Sequence, residues 1–304
     1  MKKTFKSVFA AFIAVASMSV GVVPISANEY VTNTDTGSDT RYISYNCITG
    51  EESIIDMSKY ECDVTSVESN MPSPRVVIGN DERKQVDDTT IAPYKGIGYL
   101  YCEKPSSTSG SRGSCSAFAS NAAITAAHVV WDSNCDEYAE NIQISFARNN
   151  SSKPYGTITT QPTEIIIPEQ YKNTQSTNYD YAILVYNTTI SNYRFGFTSS
   201  ASATSNGTGV TVTGYPKDTS TAVGGTSNSY YQWTASGSIK ASTTYTISYE
   251  IDTTGGQSGA PVYNASNQIV GIHHGGNSTA NTARKIDSTL FNLMYQIRNG
   301  TYTG

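Results

Sequence analysis

Charge is scarce in this chain: Asp, Glu, Lys and Arg make up 15% of its 304 residues, with both signs interspersed around a net charge of -5. A nucleic-acid surface needs a clustered basic stripe, and the sequence has none, so no nucleic-acid partner is expected. Histidine is scarcer still. With three in the chain, imidazole chemistry rests with His128, His273 or His274. The five cysteines (Cys47, Cys62, Cys102, Cys115, Cys135) contain no CxxC element, so neither a metal site nor a cofactor is expected. An odd count leaves at least one thiol free or paired outside the chain. Sustained helical periodicity is missing until the tail, which points away from helical folds.

The one long apolar run lies at the start, where Lys2, Lys3 and Lys6 precede Val8 to about Pro24 and a small-residue exit at Ser26-Ala27. This reads as a signal peptide over 1–27. The run falls short of the roughly 20 residues a spanning helix needs, and polar Asn28-Glu29 follow it. The expectation is a secreted, extracellular protein without stable membrane insertion. Export permits disulfides, with Cys47–Cys62 and Cys115 with either Cys102 or Cys135 as the expected pairs.

A polar stretch then closes with Met71-Pro-Ser-Pro-Arg75, whose prolines disfavour regular structure. It reads either as an N-terminal arm that stays attached or as a propeptide, 28–75, cut after Arg75 to leave a new terminus at Val76. From Ile91 onward, short alternating or apolar runs at 95–102, 115–119, 122–127, 141–147, 181–186, 209–214, 230–239, 245–251 and 268–273 are separated by Gly, Ser, Asn and Pro clusters. With 22 Tyr and frequent Thr and Val, this predicts an all-β sandwich or barrel. In the tail, Leu290, Leu293, Met294 and Ile297 share one face of a helix, with Asp287 or Ser288 as N-cap and Gly300 beyond its end. No coiled-coil or assembly segment is evident, so a monomer is expected.

Three segments carry chemistry. Ser258 lies in Asp252-Thr-Thr-Gly-Gly-Gln-Ser-Gly-Ala-Pro-Val262, where glycines on both sides of a hydroxyl let the backbone turn sharply and present N–H groups beside it. Taken alone, that could be an ordinary tight turn. His128 ends the small-residue run Ala122-Ala-Ile-Thr-Ala-Ala-His128, a strand that would hold the ring at its tip. Asp180, in Asn178-Tyr-Asp-Tyr-Ala-Ile-Leu-Val185, opens a strongly apolar strand, and an acid beside that much apolar surface needs a partner. If that partner is His128, the carboxylate fixes the imidazole tautomer and stabilises the imidazolium formed when Ser258 gives up its proton.

In order and rough spacing, Thr125-Ala-Ala-His128, Asp180-Tyr-Ala-Ile183 and Gly255-Gly-Gln-Ser-Gly-Ala-Pro261 resemble the chymotrypsin-like proteases. Within them the chain most resembles the V8-like and Bacillus-type glutamyl endopeptidases, from about Val76 to the tail. That likeness includes Ile78-Gly-Asn-Asp-Glu-Arg83, Gly214-Tyr-Pro216 and Ile272-His-His-Gly-Gly276. The resemblance implies two packed antiparallel six-stranded Greek-key barrels, approximately 76–190 and 191–286, followed by a helix over 287–299. It also implies a Ser258 nucleophile, a His128 base, an Asp180 orienting carboxylate and an oxyanion hole from the Gly256 and Ser258 N–H groups. Protein or peptide substrates follow. For a Glu side chain before the scissile bond, it implies contacts from Thr253, His273 and the Val76 ammonium, with Gly275 and Gly276 beside the substrate strand. Alternation sends His273 and His274 to opposite faces, so only one lines the pocket. Gln257 stands where pancreatic-type enzymes carry an Asp, and Val129 where Bacillus-type members carry a cysteine. Two other readings stay open: a protease of different primary specificity, and a catalytically silent surface-binding homologue.

Overall fold

A computed structural model describes residues 40–60, 64–67, 83–107, 110–217, 230–276 and 280–303. It opens with a hairpin, β1 (Arg41–Asn46) and β2 (Glu52–Asp56). The turn follows from its residues: Asn46 Oδ1 accepts from the Ile48 and Thr49 N–H groups, and Gly50 takes φ 77°. Six strands then build the first barrel: β3 (Ile97–Glu103), β4 (Ser111–Ala119), β5 (Ala122–Thr125), β6 (Glu140–Phe146), β7 (Glu164–Pro168) and β8 (Ala182–Val185). They pair in the order β6-β3-β4-β5-β8-β7. Reciprocal bonds between Ile144 and Ile158, just before β7, bring the ends of the sheet together. The hairpin extends this sheet through β7.

The second barrel comprises β9 (Gly209–Gly214), β10 (Trp233–Ser242), β11 (Thr246–Tyr249), β12 (Pro261–Tyr263), β13 (Gln268–Gly276) and β14 (Asn281–Lys285). Its pairing runs β12-β9-β10-β11-β14-β13 and returns to β12, a closed ring. The all-β, two-barrel architecture is therefore present. A closed ring also removes the free edges on which sheets aggregate.

The central strands are buried on both faces, which is why they read as short apolar runs. Ile124, Ile166 and Ile183 face a core shared with Phe118, Phe195, Phe197 and the C-terminal helix. Ala123, Ile165 and Leu184 fill the first barrel. Val212, Tyr249, Val262 and Val270 fill the second. Among the described residues the α-helical segments are α1 (Ala127–Val130) and α2 (Glu169–Thr174) between strands, and α3 (Ser288–Asn299) after the last strand. The apolar face of α3 (Leu290, Phe291, Leu293, Met294, Ile297) is buried, and Gly300 ends the helix at φ 69°.

Some local expectations change. His128 stands in the single turn α1 rather than at a strand tip, because β5 stops at Thr125. The stretch read as an arm or propeptide contributes β1 and β2. Cys47, Cys102, Cys115 and Cys135 are free thiols. The expected bridge from Cys115 to Cys102 or Cys135 is not formed. In the β3–β4 ladder Cys115 faces Gly98 while Cys102 faces Ser111. Four residues of extended strand separate those positions, roughly 13 Å, about twice what a disulfide spans. Cys135 is exposed in a turn. The pairing of Cys47 with Cys62 involves a residue outside those described, as are Val76 and the leader over 1–27.

Asp287 has two tasks: it caps α3, its Oδ1 accepting from the Leu290 N–H at 2.9 Å, and it pairs with the buried Arg284 guanidinium. Asp287→Asn keeps a capping oxygen but removes the charge, whereas Asp287→Ala loses both. Thermal unfolding should show both variants destabilised, by about 3 kcal/mol or more from the stranded Arg284. A further ~1 kcal/mol should appear in the Ala variant alone.

Candidate active site

Asp180 follows a one-turn 3-10 helix, Thr177–Tyr179, whose entry is capped by Ser176. The turn delivers the carboxylate to the buried start of β8, 4% exposed. Both oxygens are satisfied by one residue: Oδ1 accepts from the His128 backbone N–H at 2.9 Å, and Oδ2 lies 2.6 Å from His128 Nδ1. Burial would raise the Asp180 pKa, but the side-chain bond, charge and backbone bond of His128, with His274 nearby, hold it below the usual carboxylate range. An ionised Asp180 places a proton on Nδ1, which leaves Nε2 of His128 as the basic nitrogen. The imidazole is 39% exposed, open to an incoming group on its far side.

The Ser258 loop comes from the other barrel and is pressed against the strand that leads to His128. Gly259 (φ 85°) sits so close that a Cβ there would lie 2.1 Å from Thr125 Oγ1 and 2.2 Å from the Ser114 carbonyl. Only glycine fits, for reasons of both space and conformation. Ser114 adds two links: its N–H donates to the Ser258 carbonyl at 2.8 Å and its hydroxyl to the Gly256 carbonyl at 3.0 Å. Gln257, 1% exposed, staples the loop to itself: its side-chain oxygen accepts from the Thr254 N–H at 2.9 Å, and its own N–H donates to the Thr254 carbonyl at 3.1 Å. Gly256 turns at φ 94°. Among the described residues, neither the Gly256 nor the Ser258 N–H has an intrachain acceptor. A half-buried hydroxyl, a base whose acid partner fixes its tautomer and two free amides are the parts required for acyl transfer.

Of the residues expected at a primary pocket, Thr253 and His273 lie at this loop, while Val76 is outside the described residues. Thr253 is half-buried within the loop. His273 is hydrogen-bonded through its backbone to Gly259 (2.7 Å) and Ala260 (2.9 Å), immediately after Ser258. Its ring is buried, with Nδ1 2.8 Å from the Tyr249 hydroxyl. Burial, with His274 and His128 adding to it, pushes the His273 pKa down to about 3. His274 is only half-buried, and its Nε2 is buried with no hydrogen-bond partner among the described residues. β13 carries an irregularity between His273 and Gly275, where Gly275 takes φ 150°. A Cβ on Gly275 would meet nothing within 4 Å, so that backbone is open to approach. Gly276 differs: its Cβ would clash with Asn281 and Ala280, so its glycine serves the β13–β14 turn.

Arg83 has a place that its motif did not disclose. It is buried, and Nη1 donates to Thr254 Oγ1 at 3.2 Å, bringing a guanidinium to the loop between Thr253 and Gln257. A lone Arg 171 positions away carries no local signal of that contact. Two cavities of about 480 Å³ lie elsewhere, one lined by Lys95, Phe146, Tyr155 and Tyr193, the other by Tyr45, Cys47, Tyr138 and Gln161. Neither is lined by His128, Asp180 or Ser258, so the chemistry and not cavity size locates the candidate site.

Residues 113–272 match a trypsin-like peptidase domain. A glutamyl endopeptidase from Bacillus licheniformis is 34% identical over 64% of this chain and 56% of its own length. The chain thus spans little more than half of that relative. An extracellular metalloprotease from Bacillus subtilis, so named, is 31% identical over 75% of this chain and 72% of its own. Among the described residues, no group of three or more His, Cys, Asp or Glu is placed to hold a metal ion. A solved Glu endopeptidase is 30% identical with a TM-score of 0.62, covering 74% of this chain and 100% of that one.

The depressed pKa of His273 has a consequence for stability. The folded state keeps this imidazole neutral down to about pH 3, whereas the unfolded chain protonates it near 6.5. Stability from this residue is therefore complete above about pH 6.5 and is lost as pH falls toward 3, with a slope approaching about 1.4 kcal/mol per pH unit. His274 shifts in the same direction. Unfolding midpoints measured from pH 7 to 4 should fall less steeply for His273→Gln than for wild type. Equal slopes would place the ring in water.

Proposed function

The chain belongs to the trypsin-like peptidase family, in its glutamyl endopeptidase branch, and on that premise we propose that it is a secreted serine endopeptidase that cuts after Glu and is made as a zymogen. The observation that carries the proposal is the double hydrogen bond from His128 to a buried, ionised Asp180, beside a glycine-bounded Ser258. In this reading His128 Nε2 takes the Ser258 hydroxyl proton as Oγ attacks the scissile carbonyl. The oxyanion is received by the Gly256 and Ser258 N–H groups, each worth roughly 10²–10³ in turnover. His128 then gives its proton to the leaving amine, and water, activated by the same imidazole, hydrolyses the acyl-enzyme. Asp180 stays ionised throughout.

For primary specificity, Thr253 and His273 act as donors to a substrate carboxylate and Val76 supplies an ammonium. His273 is neutral in the empty site. It therefore binds as a hydrogen-bond donor, and the positive charge a desolvated carboxylate needs has to come from elsewhere. Arg83, held against Thr254, is a second source of that charge. Gly275 offers an open backbone to an extended substrate strand. The leader over 1–27, the cut after Arg75 and the monomeric state complete the proposal, with protein or peptide substrates as its partners. Among the described residues, no helix is long and apolar enough to cross a membrane.

A digest of an unrelated protein, read by mass spectrometry, tests this. Wild type should cut predominantly after Glu, Ser258→Ala should not cut, and Thr253→Val should lose about tenfold in kcat/KM for Glu relative to Gln, the worth of one hydrogen bond to a charged group. Ser258-dependent cuts without Glu enrichment would remove the account of the pocket. Undiminished cleavage by Ser258→Ala would remove the nucleophile.

A further inference from the structure

The segment before the protease domain is built into the fold. β1 lies antiparallel on β7 over five consecutive pairs, from Tyr42↔Pro168 to Asn46↔Glu164. β7 reads Glu-Ile-Ile-Ile-Pro and is almost wholly buried. Without β1 it would present three isoleucines along an unpaired edge, a template for aggregation. The side chains of the hairpin enter both neighbouring cores. Tyr42, Ile55 and Met57 join Phe118, Tyr181 and the buried face of α3. Ile43 joins Ile165 and Ile167 inside the first barrel, while Tyr45 stacks on Tyr138 with ring centroids 4.2 Å apart and an interplanar angle of 9°. Ion pairs flank the ladder, Glu52 with Lys172 at 2.6 Å and Arg41 with Glu169 at 3.1 Å.

The same segment then reaches the second barrel. Asn292 of α3 donates to the Tyr60 carbonyl, and the Thr65 carbonyl accepts from the Thr198 hydroxyl and the Ser199 N–H. Ser66–Val67 pairs with Gly196–Thr198, and Gln268 donates to the Ser66 hydroxyl at 2.6 Å. Residues 40–60 and 64–67 thus strap both barrels. The strap also reaches the neighbour of Asp180: Tyr181 donates its hydroxyl to that of Tyr42 at 3.0 Å.

From this the geometry points to a retained clamp: residues 40–60 and 64–67 bind the rest of the chain by strand addition and core packing, and the N-terminal segment remains bound as a second chain once the backbone between Val67 and Arg83 is cut. Strand addition supplies the ladder bonds and the pockets for Tyr42, Ile43, Ile55 and Met57 supply the hold, neither of which needs the covalent connection. The inference stands apart from the proposed specificity and holds wherever natural processing falls. An N-terminal segment of this kind acts on the fold, not as a plug in the cleft.

The test uses the full chain carrying Ser258→Ala, with a recognition sequence for a specific protease inserted between positions 70 and 75. After complete cutting, native mass spectrometry and gel filtration at micromolar protein should show the N-terminal fragment at one per large chain. Tyr42→Asp in the same background should release it. Separation of the Tyr42-containing fragment under non-denaturing conditions, whatever the large chain then does, overturns the clamp. Should the insertion disturb folding, hydrogen exchange on the uncut Ser258→Ala chain decides instead. Amides of β1 should exchange as slowly as those of β8, and exchange a hundredfold faster would overturn the inference.

Discussion

A carboxylate taken out of water must have its oxygens satisfied, and at Asp180 a single residue does this, with its backbone N–H on one oxygen and its ring on the other. That pair of bonds sets where β5 must end, why α1 turns there and which nitrogen of His128 is left basic. Burial alone would raise the pKa of the acid, and the bonds and charge of His128 outweigh it. A site that depended on the ring bond alone would let the imidazole pivot. Two bonds from one residue fix both its position and its tautomer.

The other half of the site is held by steric fit. The second barrel brings Ser258 to the first by a backbone approach at Gly259 too close for any side chain, and Ser114 ties the same loop through its amide and its hydroxyl. Ser258 and His128 therefore belong to different barrels. Their alignment depends on the core between them, where Phe118, Ile124 and Phe197 meet α3 and Tyr42. Support for the acid runs through Tyr181, which also lies against the guanidinium of Arg284, 5.1 Å from the ring centroid.

Much of this is legible in the sequence because it is local. The glycines around Ser258, the apolar strand opened by Asp180, and the Asp287 and Gly300 ends of α3 each declare themselves within a few residues. What the sequence does not disclose is long-range or lacks alternation. β7 is three isoleucines in a row with no period, as a strand buried on both faces is. β1 is buried on both faces, with Tyr42, Ile43 and Ser44 buried in succession, its partner is about 120 positions away, and Ile54 of β2 faces water. Arg83 meets Thr254 only in three dimensions. The cysteine count suggested bridges, yet the ladder between β3 and β4 holds Cys102 and Cys115 out of each other's reach.

Covalent labelling tests the central claim most directly, because it reads nucleophile, base and acid together. Treated with a serine-directed fluorophosphonate at neutral pH, the protein should gain one phosphonyl group per chain, located on Ser258 by peptide mapping. Asp180→Asn, whose amide NH2 would face Nδ1 and put the imidazole proton on Nε2, should label slower by roughly 10⁴. No adduct, an adduct on another residue, or equal rates in the two proteins would contradict a triad built on the Asp180–His128 pair.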